Sequence, residues 1–236
     1  MQQLQQITKT IGVSLSPCQL SQFTTYWTLL STRNQVMNLT AITDRDEAIE
    51  KHFLDSLALT KAADFTDRRL IDIGTGAGFP GLPLKIAVPS LEVTLLDSLA
   101  KRVGFLEEVS EALGLQNIRC VHSRAEEWVQ TEGEREAYDY ATSRAVAELR
   151  VLLELALPYV KVGGAFLAMK TARAEREMQA AHNATEILGG HIESYHDYTL
   201  PSEPTATRRI VVIRKVAPTP AQYPRRFARI QKDPLT

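Results

Sequence analysis

Residues 70–81 read Leu-Ile-Asp-Ile-Gly-Thr-Gly-Ala-Gly-Phe-Pro-Gly, an apolar run with one acid that breaks into alternating glycines. The short apolar run predicts a buried strand of a parallel sheet. Gly74, Gly76 and Gly78 lack a Cβ, so the backbone can turn tightly and bring its amides against a ligand. Pro80 suits the first turn of a helix. A strand, a glycine loop and a helix therefore predict a ligand site at the carboxyl end of the strand.

Two ligand classes compete for this loop. Gly76, Gly78 and Gly81 have the GxGxxG spacing of a dinucleotide site, and Asp97 lies near the distance expected for a ribose-binding acid. An NAD enzyme is therefore one alternative, although the dinucleotide pattern normally begins directly after the strand and here begins two residues later. The frame that begins on time, at Asp72, resembles the first motif of class I S-adenosylmethionine methyltransferases, in which the acid and the glycines hold the amino acid end of the cofactor. An ordinary glycine-rich turn is the third alternative.

The length of 236 residues fits one α/β domain with an appendage. We expect an N-terminal helical cap over residues 1–62, a Rossmann-like core over 63–217 and a basic tail over 218–236. No signal peptide and no membrane span are expected, because no basic segment precedes a long apolar run. Cys18 and Cys120 are too few for a disulfide framework or an all-cysteine metal site. We expect both to be buried in a cytoplasmic, metal-free and monomeric protein.

The charge is unevenly distributed. From residue 205 onward the chain has eight basic residues and one acid, whereas the first 204 residues have a net charge of −8. A basic tail on an acidic body is typical of a protein that binds a polyanion, and a solvated basic surface is the equal alternative.

Helices and strands alternate along the chain. Ser16 to Gln19 and Asp44 to Glu47 have the pattern of helix N-termini. Helices are also expected over 101–113, 148–160 and 172–188. The first strand is expected at 70–73 and the second at 91–97. Five others are expected at 117–122, 138–142, 164–170, 191–200 and 209–216. The fold class is thus α/β, a doubly wound seven-stranded sheet whose last two strands form an antiparallel pair at the edge.

Polar residues at the ends of the later strands complete the predicted cofactor site. Asp97 ends the second strand, where its carboxylate can accept both ribose hydroxyls. Ala125 and Glu126 follow the third strand and are expected beside the adenine, the alternative being a plain helix N-cap at Ser123. Arg144, after the fourth strand, can clamp a carboxylate or a phosphate.

The absence of two kinds of motif limits the methylation reactions that the sequence predicts. The fourth strand is not followed by the Asn-Pro-Pro-Tyr or Asp-Pro-Pro-Tyr run typical of amino-group methylation of adenine or cytosine, and neither cysteine is placed to attack a pyrimidine. A purine N7 has its own lone pair, so its methylation needs no base and can proceed by alignment alone. This inference permits N7 and does not prove it.

Several separate segments together resemble one family, the bacterial 16S rRNA (guanine-N7)-methyltransferase G, also called glucose-inhibited division protein B. The match covers nearly the whole chain. Its segments are Asn38-Leu39-Thr40-Ala41-Ile42, residues 52–57 (HFLDSL), 72–84 (DIGTGAGFPGLPL), 95–106 (LLDSLAKRVGFL), 143–145 (SRA) and 223–226 (YPRR).

The resemblance implies methyl transfer from S-adenosylmethionine to N7 of one guanine in the 530 loop of 16S rRNA, on bare rRNA or on the small ribosomal subunit. It also implies that Gly74, Phe79, Ala125, Glu126 and Arg144 contact the cofactor. The chain departs from the family at residues 227–230 (FARI), where members often carry a basic stretch rich in Pro and Gly.

A further group of polar residues is the hypothesis for the RNA side, since basic side chains there would meet phosphates. The group is Asn38, His52, Lys170, Arg208, Arg209, Arg225 and Arg226. His52 has the alternative of a half-buried structural histidine, and Asn38 that of closing a turn. Phe79 can either stack near the target base or pack under the loop.

Overall fold

The computed structural model describes residues 1–144, 147–171 and 174–236. Within these residues seven strands form one sheet: β1 (Arg69–Ile73), β2 (Glu92–Asp97), β3 (Ile118–His122), β4 (Tyr138–Arg144), β5 (Val160–Thr171), β6 (Gly190–Leu200) and β7 (Glu203–Lys215). Their order is β3-β2-β1-β4-β5-β7-β6. The first five are parallel, and β7 runs antiparallel to both β5 and β6. The predicted doubly wound, seven-stranded architecture is confirmed.

Helices precede the sheet and connect its strands. They are α1 (Gln2–Lys9), α2 (Pro17–Met37), α3 (Arg45–Ala48), a π-helical segment (Ile49–Leu54), α4 (Asp55–Leu57), α5 (Gly81–Ala87), α6 (Ala100–Ala112), α7 (Ala125–Trp128), α8 (Leu149–Ala156), α9 (Ala174–Ala180), α10 (His182–Ile187) and α11 (Phe227–Lys232). Short 3₁₀ turns at Ala58–Lys61 and Leu157–Tyr159 follow α4 and α8. None of the helices described here combines the length and the apolar character that a membrane crossing needs.

The N-terminus of α2 has the predicted capping box. Oγ of Ser16 accepts a hydrogen bond from the Gln19 backbone N–H, and the Gln19 side chain accepts one from the Ser16 N–H. Nε2 of Gln19 also donates to the carbonyl oxygens of Ile86 and Ala87 at 2.8 and 3.0 Å. One side chain therefore both starts α2 and attaches it to the end of α5.

The N-terminal helices share a hydrophobic core with the sheet. Asp44 caps α3 as predicted, because its carboxylate accepts from the Glu47 N–H at 2.8 Å. Phe23 and Phe53 are fully buried and belong to the same cluster as Leu70 of β1. The helices thus form one face of the core, while the division at residues 62 and 217 remains a prediction.

Two strands begin earlier than expected. β5 begins at Val160 instead of residue 164, since a register shift against β4 accommodates a bulge. A Cβ on Gly164 would overlap the Asp139 carbonyl, so only glycine fits there. β7 begins at Glu203 instead of residue 209, and its first residues pair with β6 alone, beyond the end of β5. This extension is mostly exposed and polar, which is why the hydrophobic pattern missed it.

Other local expectations need correction. The segment expected as one helix over 172–188 forms α9 and α10, which break at Ala181, and its predicted start at Ala172 lies outside the described residues. Pro80 directly precedes α5 after a cis Phe79–Pro80 bond. The prediction that Cys18 is buried is wrong, because the first turn of α2 lies at the surface and exposes its thiol.

Candidate functional site

The glycine loop after β1 has the backbone that its sequence predicts. Gly74, Gly76 and Gly78 all have positive φ angles, of 67°, 64° and 104°. A Cβ on Gly78 would overlap the Leu82 side chain and lie 2.8 Å from Oη of Tyr26. Residues with a side chain are strained in this conformation, so the loop requires glycine.

Asp72 stabilises the glycine loop through hydrogen bonds. Its side chain is fully buried, and Oδ2 accepts hydrogen bonds from Oγ1 of Thr75 at 2.7 Å and the Gly81 N–H at 2.8 Å. Burial raises the pKa of this carboxyl to about 6. Oδ1 has no hydrogen-bond partner among the described residues. Asp72 therefore fixes the loop and retains one acceptor oxygen at its base.

A cleft opens at the carboxyl ends of β1, β2 and β3, and we call it the strand-end cleft. It encloses about 130 Å³ and is lined by Ile73, Gly74, Leu96, Asp97, Ser98, Ser123, Arg124, Ala125, Glu126, Leu155 and Phe227. Oδ1 of Asp97 accepts from the Leu99 N–H and Oδ2 from the Gly76 N–H, both at 2.9 Å. Oδ2 also accepts from Nη1 of Arg102 at 3.4 Å. A carboxylate oxygen accepts two hydrogen bonds, so Oδ1 of Asp97 keeps capacity for one ligand hydroxyl.

The opposite side of this cleft is formed by the predicted residues Ala125 and Glu126, both half-buried. The alternative of an N-cap at Ser123 is not seen, because α7 begins after Arg124 without a side-chain cap. Oγ of Ser123 instead donates to the Arg124 carbonyl at 3.2 Å. Sequence reasoning missed several lining residues, among them Leu155 of α8 and Phe227 of the C-terminal tail.

A second cavity, of about 440 Å³, lies at the ends of β4, β5 and the β6–β7 hairpin, and we call it the hairpin pocket. It is lined by Ile42, Lys51, His52, Asp55, Arg144, Met169, Lys170, Thr171, Glu177, Tyr198 and Arg208. Four of the predicted site residues therefore meet in one place. Three of them, His52, Lys170 and Arg208, were predicted for RNA. The fourth, Arg144, was predicted to contact the cofactor, but it lines this pocket and not the strand-end cleft.

Asp55 is the centre of this pocket and was not predicted. Its side chain is 2 % exposed, with Oδ2 accepting from Nη1 of Arg144 at 2.9 Å. Oδ1 accepts from Oη of Tyr198 at 2.7 Å and from Nη1 of Arg208 at 3.3 Å. Burial and the neighbouring carboxylate raise the pKa of Tyr198 well above its usual range. One carboxylate thus holds two guanidinium groups and a phenol in fixed positions.

His52 is a buried neutral residue of the same pocket. Its Nδ1 lies 3.2 Å from Nη2 of Arg144, which can only donate, so the proton resides on Nε2 and is donated to Oγ1 of Thr40 at 2.8 Å. Burial and the Arg144 charge lower its pKa to about 3. The ring stacks on Phe79 with centroids 4.3 Å apart. Phe79 is itself buried, so it packs within the loop, as one alternative held.

The other residues proposed to bind RNA differ in their exposure and in their ion-pair partners. Asn38 is exposed and ends α2 in the left-handed conformation, as expected for a turn. Nζ of Lys170 contacts the Ala147 carbonyl and Glu177, each at 2.7 Å. Arg209 pairs with Asp197 at 2.6 Å on the outer face of the hairpin. An RNA role for these residues remains a prediction.

The two arginines of the tail differ sharply. Arg225 is paired with Glu154 of α8, whose side chain is fully buried, at 2.7 Å. Arg226 is exposed and takes part in none of the ion pairs found among residues 1–144, 147–171 and 174–236. A phosphate would have to displace Glu154 to reach Arg225, whereas Arg226 is accessible.

Both cavities lie at the same edge of the sheet, on opposite sides of the glycine loop. The strand-end cleft includes Gly74, and the guanidinium carbon of Arg144 in the hairpin pocket lies 5.0 Å from the Phe79 ring centroid. The chain reverses its winding direction between β1 and β4, where open α/β sheets bind ligands. The loop therefore lines the strand-end cleft at Gly74 and packs, through Phe79, against Arg144 and His52 of the hairpin pocket.

Comparison with known proteins assigns the chain to a family. A family model described as rRNA small subunit methyltransferase G matches residues 19–205. The chain belongs to this family. The rRNA small subunit methyltransferase G of Bacillus subtilis is 48% identical over 225 residues, covering 95% of this chain and 94% of the relative. That of Acetivibrio thermocellus is 49% identical over 225 residues, covering 95% and 92%.

Solved structures share the α/β fold described above. M. jannaschii TYW2 in complex with AdoMet superposes with a TM-score of 0.57 at 12% identity, covering 75% of this chain and 80% of that one. TrmN from Thermus thermophilus gives 0.53 at 19% identity and covers 71% of this chain. This chain spans 53% of TrmN.

Proposed function

We propose that the protein transfers a methyl group from S-adenosylmethionine to N7 of a guanine in the 530 loop of 16S rRNA. One observation carries the proposal: the glycine loop lines the strand-end cleft at Gly74 and packs at Phe79 against His52 and Arg144 of the hairpin pocket. Methyl transfer needs a donor site and an acceptor site that hold their reacting atoms together. Family membership supports the class of substrate, and the motif resemblance supports the guanine and its atom.

The strand-end cleft fits the cofactor. S-adenosylmethionine supplies, when bound, an electrophilic methyl carbon on a sulfonium. Oδ1 of Asp97 has acceptor capacity for a ribose hydroxyl, and Oδ1 of Asp72 offers an anionic atom near the glycine loop for the amino acid end. The cleft encloses about 130 Å³, less than the roughly 300 Å³ of a site that surrounds a whole drug-sized ligand. It therefore encloses one part of the cofactor, beside Ala125 and Glu126.

The hairpin pocket fits part of an RNA. At about 440 Å³ it lies within the usual range of ligand sites, and basic and aromatic side chains are the groups that hold phosphates and bases. Lys170, Arg208 and Arg144 supply cationic groups to it. Exposed basic residues outside this pocket, such as Arg226 beside Phe227, would contact phosphate without reading sequence.

The side chains of the site match a reaction that needs no general base. His52 is neutral, but both its ring nitrogens are engaged, with Arg144 and with Thr40. The carboxylate of Asp55 is held between two arginines. Because guanine N7 attacks through its own lone pair, these residues need only position the base against the methyl carbon. The gain from such alignment is the orientation effect.

Incubation with methyl-labelled S-adenosylmethionine and separated bacterial ribosomal subunits tests the proposal. We expect label in the RNA of the small subunit or in bare 16S rRNA, and none in the large subunit. Label only in protein or small molecules, or none in any RNA, would reject the proposed function.

A further inference from the structure

The tail contributes a wall of the strand-end cleft. Phe227, the first residue of α11, is half-buried and lines this cleft together with Leu155 of α8 and Ala125 of α7. Its ring also belongs to a small apolar cluster with Val151 and Ile230. An aromatic side chain from beyond the last strand is therefore part of the cleft lining, beside α7 and α8.

Two contacts hold Phe227 in this place. Glu154 of α8 accepts hydrogen bonds from the backbone N–H and from Nε of Arg225, both at 2.8 Å, and from Nη2 at 2.7 Å. On the other side of Phe227, Ile230 is fully buried against Val151 and Leu155. The tail is thus attached to α8 immediately before and after Phe227, so its position is set by packing and by a buried ion pair.

We infer that Phe227 is a cofactor-binding residue whose ring covers the adenine of S-adenosylmethionine, an inference that rests on the proposed function. The charged amino acid end suits Asp72 and the glycine loop, and the ribose suits Asp97. The rest of the lining has polar residues after β2 and β3 and an apolar group formed by Ala125, Leu155 and Phe227, which also pack together in one cluster. A flat base fits against such a group because any base can stack on an aromatic face.

Cofactor binding then stabilises the tail. The exposed side chains of α11 and the residue before it include Arg226, Arg229 and Lys232, each a site for trypsin. Trypsin cuts a helix only when it opens locally, and a ligand held by the closed form reduces that opening. Occupancy of the cleft therefore slows trypsin cleavage after residues 226–232.

Calorimetry with S-adenosylhomocysteine on the full chain tests the inference. We expect Phe227→Ala to weaken binding about tenfold, the effect of losing one base-stacking contact. Phe227→Tyr keeps the flat ring and the affinity. Phe227→Leu fills the apolar cluster without a flat ring, so it binds as weakly as the alanine variant. Lys232→Ala, on the exposed face of α11, is the matched control and binds like wild type.

Trypsin digestion with and without S-adenosylhomocysteine gives a second readout. The ligand should slow cleavage of the wild-type tail at concentrations where Phe227→Ala shows no protection. Wild-type affinity in the alanine and leucine variants, or full affinity in the leucine variant alone, would overturn the stacking role. Absence of binding to the wild type would instead reject the proposed function, and this inference with it.

Discussion

Arg144, the last residue of β4, donates a 2.9 Å hydrogen bond from Nη1 to Oδ2 of Asp55, in the helical segment that precedes the sheet. Arg208 of β7 and Tyr198 of β6 bind the other carboxylate oxygen. The hairpin pocket is therefore assembled from three distant parts of the chain around one buried carboxylate. Its geometry depends on that carboxylate more than on any single basic residue.

Replacement of Asp55 tests this dependence. We expect Asp55→Ala to lower the free energy of unfolding by about 3 kcal/mol, because it leaves the largely buried Arg144 without its carboxylate partner and Arg208 with Glu203 alone. Urea denaturation measures the change. Glu47→Ala, which breaks a more exposed pair with Lys51, is the control and should cost less than about 1 kcal/mol. Equal effects of the two substitutions would show that Asp55 is not the centre of the pocket.

His52 should make stability depend on pH. Its folded-state pKa, about 3, lies below the ordinary value of 6.5. Between pH 6.5 and pH 3 the unfolded chain therefore binds a proton at His52 that the folded chain does not bind. The contribution of His52 to the free energy of unfolding is thus fully present above pH 6.5 and is lost as the pH falls towards 3. By pH 5 the loss is about 2 kcal/mol.

Unfolding by urea between pH 7 and pH 5 checks this dependence. His52→Gln should flatten the slope of stability against pH. His182→Gln replaces an exposed histidine and should leave the slope of wild type. A His52→Gln variant with the wild-type slope would mean that His52 takes up a proton in the folded protein.

The glycine loop offers a matched pair of substitutions. Gly76 and Gly114 have nearly the same φ, +64° and +62°, and a Cβ at either position meets no atom closer than 4.0 Å. Substitution by alanine should introduce a similar backbone strain at both positions, roughly 1 kcal/mol. Only Gly76→Ala should weaken binding of S-adenosylhomocysteine by calorimetry, since its backbone amide bonds Asp97 in the cleft. Equal affinity of the two variants would place the ligand elsewhere.

Alanine substitution of the two adjacent arginines of the tail should have different effects, one on stability and the other on RNA binding. Arg225→Ala leaves the fully buried Glu154 unpaired and should destabilise the protein by about 3 kcal/mol. Arg226→Ala should leave stability within about 0.5 kcal/mol but reduce the slope of RNA affinity against salt by about 1. Filter binding across a salt series measures the slope. An unchanged slope for Arg226→Ala would remove that residue from the RNA surface.

Local patterns predicted much of the fold. The Ser16–Gln19 capping box, the glycine loop and Asp97 at the end of β2 each depend on residues close in sequence or on strand order, and each lies where it was expected. The polar start of β7 did not show the alternation of a half-buried strand, because it pairs with β6 alone.

The contacts that sequence could not reveal join distant residues. Asp55 lies 89 residues from Arg144 and 153 from Arg208, so no spacing rule connects them. The one available signal for the Arg225 anchor was an acid, Glu154, inside a mostly apolar helix. Charge alone could not distinguish that buried pair from a basic residue facing solvent, and Phe227 carried no motif at all.

The central claim is that the methyl group reaches N7 of a guanine. Its most direct test is mass spectrometry of the nucleosides from 16S rRNA, with mapping of the modified position, after incubation with the protein and S-adenosylmethionine. We expect a gain of 7-methylguanosine in the 530 loop. A methyl group on another atom or in another part of the RNA, or no gain over RNA incubated without protein, would contradict the proposal.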